Sequence, residues 1–215
     1  MAPRPPFTIK SVPNVIILLH GFNSGPGKKA EQISEFIYKN HLTDKFKLIA
    51  PALDQSPRNA IREINRLIRG NKGRKVFLVG TSLGGFYANY FRAKFKEEFL
   101  TVHAINPSWR PSKTLQKYTN TELTNYKTQE KWVFDGKYIE DLVEFELFID
   151  SNLASSSSNK YNIHLSLSDE LLSFEDMMTF LKLNSIQFNK FEYDSDHRFD
   201  KIIDVMEIII RDEKQ

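Results

Sequence analysis

One serine set between glycines and five histidines, in a chain with no cysteine, define the nucleophilic chemistry open to this protein. The serine is Ser82, in Val76-Phe77-Leu78-Val79-Gly80-Thr81-Ser82-Leu83-Gly84-Gly85-Phe86. A short apolar run leads into G-x-S-x-G and then into a helical segment, the pattern of a nucleophile elbow between a buried strand and a helix. The turn is so tight that the residues flanking the serine need hydrogen in place of Cβ, which accounts for Gly80 and Gly84. A helix opening at Leu83 directs free N–H groups and its positive dipole end toward any oxyanion formed at Ser82.

A serine hydroxyl is a weak nucleophile at neutral pH and needs a base, normally a histidine oriented by a carboxylate. His20 and His41 precede the serine, against the Ser, Asp/Glu, His order of such elbows. His103 and His164 fall inside expected strands, where a satisfied core histidine is the simpler reading. That leaves His197, in the polar loop Tyr193-Asp194-Ser195-Asp196-His197-Arg198-Phe199 between the last expected strand and helix. Loops at the C-terminal ends of parallel strands are where ligand chemistry collects. For the acid, Asp169 closes the run Tyr161–Asp169 and follows the penultimate strand by a short turn. Glu170 beside it is a substitute, Asp176 falls in the next helix, and Asp141 lies in an insertion.

The first expected strand runs into Leu18-Leu19-His20-Gly21-Phe22-Asn23-Ser24-Gly25-Pro26-Gly27. The loop has neither G-x-x-x-x-G-K-[ST] nor G-x-G-x-x-G, which weakens a nucleotide-binding reading. His-Gly after the first core strand instead supplies the second donor of an oxyanion hole. The Phe22 N–H takes that role beside the Leu83 N–H, and His20 fixes the loop. Trp109 and Arg110, after the fourth strand, are candidates for the substrate pocket; the competing reading is an aromatic packed under the insertion and a surface arginine.

The elements that must position these residues read as alternating strands and helices. Strands are expected at Val15–Leu19, Lys47–Ala50, Val76–Val79, Thr101–Ile105, Asn162–Ser166 and Ile186–Glu192. Helices are expected at Lys28–Asn40, Pro57–Arg69, Leu83–Lys94, Phe174–Leu181 and Lys201–Arg211. This order implies a mostly parallel sheet with helices on both faces. Between the fourth and fifth strands a cap insertion, about residues 108–160, adds no strand to the sheet. Within it Leu142, Phe145 and Ile149 form one helix stripe, expected as core cover rather than a mobile lid. Ser155–Ser158 reads as a mobile surface loop. No repeat or linker appears, so 1–215 is read as a single domain.

Composition removes other classes. At 215 residues with 40% hydrophobic and 13% aromatic residues, intrinsic disorder is excluded as the main state. Zero cysteines exclude a disulfide framework, thiolate metal sites and a cysteine nucleophile. The 30 basic and 27 acidic residues are interspersed and leave a formal charge of +3, too little for strong electrostatic capture of nucleic acid. The first apolar run is five residues long, too short for a signal peptide or a membrane span, so the expected compartment is cytoplasmic.

Taken together, Leu18–Pro26 (LLHGFNSGP), Val79–Ala88 (VGTSLGGFYA), Asn106–Pro111 (NPSWRP), Ser166–Phe174 (SLSDELLSF) and Asp196-His197-Arg198-Phe199 resemble the small α/β-hydrolase-fold esterases of the YqiA/YcfP-like family. The glycine–serine pieces recur in many hydrolases, and the combination with Asn-Pro-x-x-Arg-Pro narrows the match. It spans most of the chain, with the segment after Lys113 matching loosely. The resemblance implies a serine esterase or thioesterase acting on small acyl-ester or acyl-CoA type substrates, with Ser82, Asp169 and His197 on the family's triad positions. No metal or organic cofactor is expected. The chain departs from the family at Asp194, Ser195 and Asp196, where glycines are usual, giving a stiffer and more acidic loop. The rival readings are a non-catalytic lipid- or partner-binding protein on the same scaffold, and an amidase. A haloalkane reaction would want Asp at position 82.

Overall fold

The structure, a computed structural model, describes residues 12–155 and 159–214. Its strands are β1 (Asn14–Leu19), β2 (Phe46–Ile49), β3 (Val76–Thr81), β4 (Leu100–Ile105), a hairpin of β5 (Glu122–Thr124) and β6 (Lys131–Val133), β7 (Tyr161–Ser166) and β8 (Asn189–Tyr193). Six of them form one sheet in the order β2-β1-β3-β4-β7-β8, parallel at every pairing. Side chains alternate between the faces of a strand, and β1 divides accordingly. Val15, Ile17 and Leu19 join one core, while Ile16 and Leu18 join the other.

The helices are α1 (Lys28–Lys39), α2 (Pro57–Gly70), α3 (Leu83–Lys94), α4 (Pro111–Leu115), α5 (Lys137–Asn152), α6 (Glu175–Leu183) and α7 (Ile202–Glu213). Helix α1 with Ile33 and Ile37, and α7 with Ile202, Val205, Met206 and Ile209, cover the Ile16 face. Helices α2, α3, α5 and α6 supply the core of the other face. The sequence sets these helices locally. In α2, Ala60, Ile61, Ile64 and Ile68 form the buried stripe, Pro57 occupies the first turn, and the Ser56 hydroxyl accepts from the Asn59 N–H at 3.4 Å.

The insertion between β4 and β7 is built into this core. Leu142, Phe145 and Ile149 of α5 are buried, and Phe145 meets Tyr90 of α3 edge to face at 5.2 Å. Buried Glu146 accepts from the Ser112 N–H and hydroxyl, each at 2.8 Å, which ties α5 to α4. Arg58 of α2 bridges to Asp141 and Glu144 of α5. The insertion adds no strand to the main sheet, but it holds the separate antiparallel hairpin with Leu123 opposite Trp132. Three residues a side are too few to show a period of two in sequence.

Elsewhere the boundaries shift. Strand β2 starts at Phe46, whose ring is buried, one residue ahead of expectation. Strand β8 begins at Asn189 rather than Ile186, because Ile186 closes the end of α6, donating its N–H to the Leu181 carbonyl at 3.0 Å and burying its side chain. Of the Ser155–Ser158 loop, all but Ser155 lies outside the described residues.

Candidate active site

Between the end of β3 and the start of α3, Ser82 alone makes the turn, at φ 56° and ψ −115°. A non-glycine residue in such a region costs on the order of 1–3 kcal/mol and persists only where its surroundings over-determine it. They do so here. The Ser82 N–H donates to the Ile105 carbonyl at 2.9 Å, and the Ser82 carbonyl accepts from Ser108 at 3.1 Å and Phe86 at 3.0 Å. A Cβ on Gly80 would collide with the Gly84 carbonyl, and one on Gly84 would stand 2.5 Å from the Leu19 carbonyl oxygen. Both glycines are therefore demanded by the closeness of β1, β3 and α3 at the elbow.

His197 and Asp169 arrive from two neighbouring loops, the first between β8 and α7, the second between β7 and α6. Their loops are joined past the strand ends: Leu167 N–H donates to Tyr193 O at 2.9 Å and Ser168 N–H to Ser195 O at 3.1 Å. His197 Nε2 lies 3.2 Å from Ser82 Oγ, and its Nδ1 lies 2.8 Å from Asp169 Oδ2. The Asp169 side chain is 2% exposed. Its Oδ1 accepts from the Leu171 and Leu172 amides, each at 2.9 Å, so the carboxylate is fixed before it meets the imidazole. Glu170 instead accepts from the backbone N–H of His197 at 3.1 Å, and backbone hydrogen bonds hold its pKa below the ordinary value. In the acidic loop, Asp196 accepts from the Arg198 N–H, and Asp200 from the Ser195 hydroxyl.

On the other side of Ser82 is the loop after β1. Gly21 passes so close that a Cβ there would sit 3.4 Å from Ser82 Cβ. Among the described residues, neither the Phe22 nor the Leu83 N–H has a hydrogen-bond partner. The cap hairpin clamps this loop. Asn23 donates from Nδ2 to Thr124 O at 2.9 Å and accepts from Trp132 Nε1 at 2.9 Å, while Asn125 Nδ2 donates to Ser24 O at 3.0 Å and the Tyr126 N–H to Asn23 O at 3.0 Å. The Phe22 ring stacks on Tyr118 at 5.4 Å and meets Trp132 and Phe134 edge to face. A cavity of about 610 Å³ opens over Ser82 and His197, its apolar wall made by Phe22, Leu115, Tyr118 and Leu172.

The model of an uncharacterised protein family, UPF0227, matches residues 15–211. This chain belongs to UPF0227. It is the YqiA/YcfP family that the motifs resemble. Among solved structures, the chain is similar to Est1E from Butyrivibrio proteoclasticus at 14% identity and a TM-score of 0.67, over 96% of this chain and 90% of that one. It is also similar to a structure described under LipS and LipT, two metagenome-derived lipolytic enzymes, at 17% identity and a TM-score of 0.66, over 97% and 96% of the two chains. A monoacylglycerol lipase from Paleococcus ferrophilus aligns over 85% of each chain at 15% identity and a TM-score of 0.60. The fold is that of the α/β-hydrolases.

In this UPF0227 protein the other candidate residues have other partners. Trp109 and Arg110 do not line the cavity over Ser82, contrary to expectation. Trp109 is buried against Phe180 with ring centroids 5.1 Å apart, and Arg110 is drawn away by a forked contact to Asp150 at 2.8 and 3.1 Å. His20 takes a structural place: Nδ1 is 2.9 Å from the Gly21 carbonyl and Nε2 accepts from the Leu53 amide at 3.0 Å. That pair of bonds requires the neutral ring, and burial lowers its pKa in the same sense. His103 and His164 are fully buried and form a one-directional chain. Asn162 Nδ2 donates to His103 Nε2 at 3.3 Å, His103 Nδ1 to His164 Nε2 at 3.1 Å, and His164 Nδ1 to the Tyr193 hydroxyl at 2.8 Å. Burial pushes His103 down to about 4 and His164 well below its ordinary value.

Two asparagines outside the candidate triad tie the loops of the site together. Asn106, at φ 41°, bonds Ser166 through both ends of its amide, each at 2.8 Å, and reaches the Asp196 and His197 carbonyls at 3.4 Å. The Asn-Pro of NPSWRP thus links the elbow to the histidine loop. Asn23, at φ 52°, is the hub of the hairpin clamp. An asparagine beside glycines in a loop is an ordinary sign of a left-handed turn, and its side-chain partners lie 101 and 109 residues away.

Proposed function

We propose that the protein is a serine hydrolase that cleaves carboxylic esters or thioesters through an acyl-enzyme. One observation carries the reading: the unbroken chain Asp169–His197–Ser82, at 2.8 and 3.2 Å, at the edge of a cavity large enough for an acyl group. Ser82 Oγ attacks the carbonyl carbon while His197 Nε2 takes its proton. Asp169, which touches only the far nitrogen of the ring, holds the tautomer with Nε2 free to accept and stabilises the imidazolium. The Phe22 and Leu83 amides receive the oxyanion, the second with the dipole of α3 behind it. His197 then protonates the departing alcohol or thiol. Water attacks the acyl-enzyme under the same base and releases the acid. The names of the similar structures, an esterase-type enzyme and two lipolytic ones, are in keeping with this chemistry.

Labelling with a fluorophosphonate followed by peptide mapping tests nucleophile, base and pocket together. The adduct is expected on Ser82 and absent from Ser82→Ala. That variant should also lose p-nitrophenyl butyrate hydrolysis by about six orders of magnitude. Activity within about tenfold of the parent, in a preparation free of host esterases, would refute the assignment.

A further inference from the structure

Helix α1 buries Ile33 and Ile37, four residues apart, in the core on the Ile16 face of the sheet. One turn earlier the same stripe places not an apolar residue but Lys29, in the first turn of the helix. The side chain is half-buried and lines the cavity over Ser82 together with His197 and Arg198. Its Nζ donates to the Arg198 carbonyl at 2.6 Å, a contact between residues 169 apart in the chain. Burial lowers the pKa of Lys29, while Asp196 and Asp200 of the histidine loop favour its ammonium form.

The carbonyl that Lys29 holds belongs to the turn that presents the base. Residues 196–199 form that turn, closed by the Phe199 N–H donating to the Asp196 carbonyl at 3.2 Å. Its other polar backbone groups are met from the same edge of the sheet: the His197 N–H by Glu170, the Arg198 N–H by Asp196 itself, and the Asp196 and His197 carbonyls by Asn106. Among the described residues, the Arg198 carbonyl has Lys29 as its one hydrogen-bond partner. The peptide carrying that carbonyl leads into Phe199, at φ 53°, a left-handed conformation that strains a bulky residue and persists only where its surroundings fix it. The buried Phe199 ring, edge to face with Tyr193 at 5.0 Å, anchors one end of the strained step, and Lys29 anchors the other.

We propose that Lys29 is a positioning residue for the base: by holding the Arg198 carbonyl from α1, it fixes the turn that carries the His197 ring and keeps Nε2 within reach of Ser82 Oγ. The contact between Nε2 and Oγ, at 3.2 Å, depends on where this turn stands. A misplacement of about 1 Å at such a contact can cost on the order of 10²-fold in rate. The inference rests on the acyl-transfer reading for its effect on rate, but not for the tie itself.

Three variants test this, each checked for folding by thermal melting. Lys29→Met keeps an unbranched side chain and removes the donor, Lys29→Arg keeps the charge, and Lys28→Met deletes the exposed charge next to it. With p-nitrophenyl butyrate, Lys29→Met should lower kcat about tenfold, the effect of losing one charge-assisted bond, with KM within about twofold of the parent. Lys29→Arg should restore most of the loss, and Lys28→Met should match the parent. Hydrogen exchange of the amides of residues 196–199, which needs no substrate, should be faster in Lys29→Met than in the parent or Lys28→Met. Such faster exchange in a protein that hydrolyses no ester would leave the tie standing and remove the esterase reading. Exchange in Lys29→Met as slow as in the parent would overturn the tie. With an active parent, the positioning role is overturned by an unchanged kcat in Lys29→Met, by a raised KM at constant kcat, by an equal loss in Lys28→Met, or by a loss that Lys29→Arg leaves standing.

Discussion

Lowering the pH should destabilise this fold well before its carboxylates begin to take up protons, and His103 sets the scale. In the unfolded chain a histidine titrates at about 6.5, whereas His103 in the fold, fully buried and bonded to Asn162 and His164, is pushed down to about 4. Below pH 6.5 the unfolded state therefore binds a proton that the native state refuses, and stability falls as pH falls. The full contribution is present above about 6.5 and is lost progressively toward 4. At 1.36 kcal/mol per unit, the 2.5-unit difference corresponds to about 3 kcal/mol at the acid plateau and about 2 kcal/mol at pH 5. His164 and His20, both lowered by burial, act in the same direction. The assay is urea unfolding followed by tryptophan fluorescence at several pH values from about 7.5 to 5, repeated on His103→Gln. The variant starts less stable, but its loss between pH 7 and 5 should be smaller than the parent's by about 2 kcal/mol. Parallel losses in the two proteins would show that His103 titrates in the fold as it does in the unfolded chain, and would refute the reasoning.

Other outcomes follow from the site. Asp169→Asn should keep the geometry but favour the wrong imidazole tautomer, lowering kcat on the order of 10⁴-fold near neutral pH, whereas Glu170→Gln, which touches only a backbone amide, should cost far less; the reverse pattern would make Glu170 the acid. Gly84→Ala should fail to yield soluble folded protein or lose several kcal/mol, read as a collapse of the urea midpoint, because its Cβ meets β1 backbone carbonyls that cannot withdraw. Asn106→Ala removes the tie between the elbow and the histidine loop, so kcat should fall with KM little changed and fluorophosphonate labelling should slow in proportion; unchanged labelling would mean that the loop holds itself. Trp132→Phe deletes the bond to Asn23 but keeps the aromatic packing, and should lower kcat by about tenfold through a looser Phe22 amide; an unaltered rate would separate the hairpin from the oxyanion loop.

What the sequence determined by itself was local or ordered along the chain. The elbow was legible because a strand that turns straight into a helix leaves no room for a Cβ at positions 80 and 84, a constraint written in the two glycines that flank Thr81-Ser82-Leu83. The layering was legible because Val15–Leu19 and Val76–Val79 are apolar on both faces, and only a sheet covered on two sides tolerates that. The order Ser82, Asp169, His197 could be read because the topology places the three loops at one edge of the sheet. Tertiary structure decided everything that depends on which distant groups meet. The choice between Asp169 and Glu170 turns on which carboxylate faces the ring, a matter of one turn's direction. Trp109 and Arg110 left the expected pocket because Phe180 and Asp150, from other helices, give them better partners. The clamp of Asn23 by the hairpin joins groups about a hundred residues apart, and Lys29 joins α1 to the histidine loop. Periodicity cannot report such contacts, because residue type records what a side chain can do and only packing settles what it is brought to face.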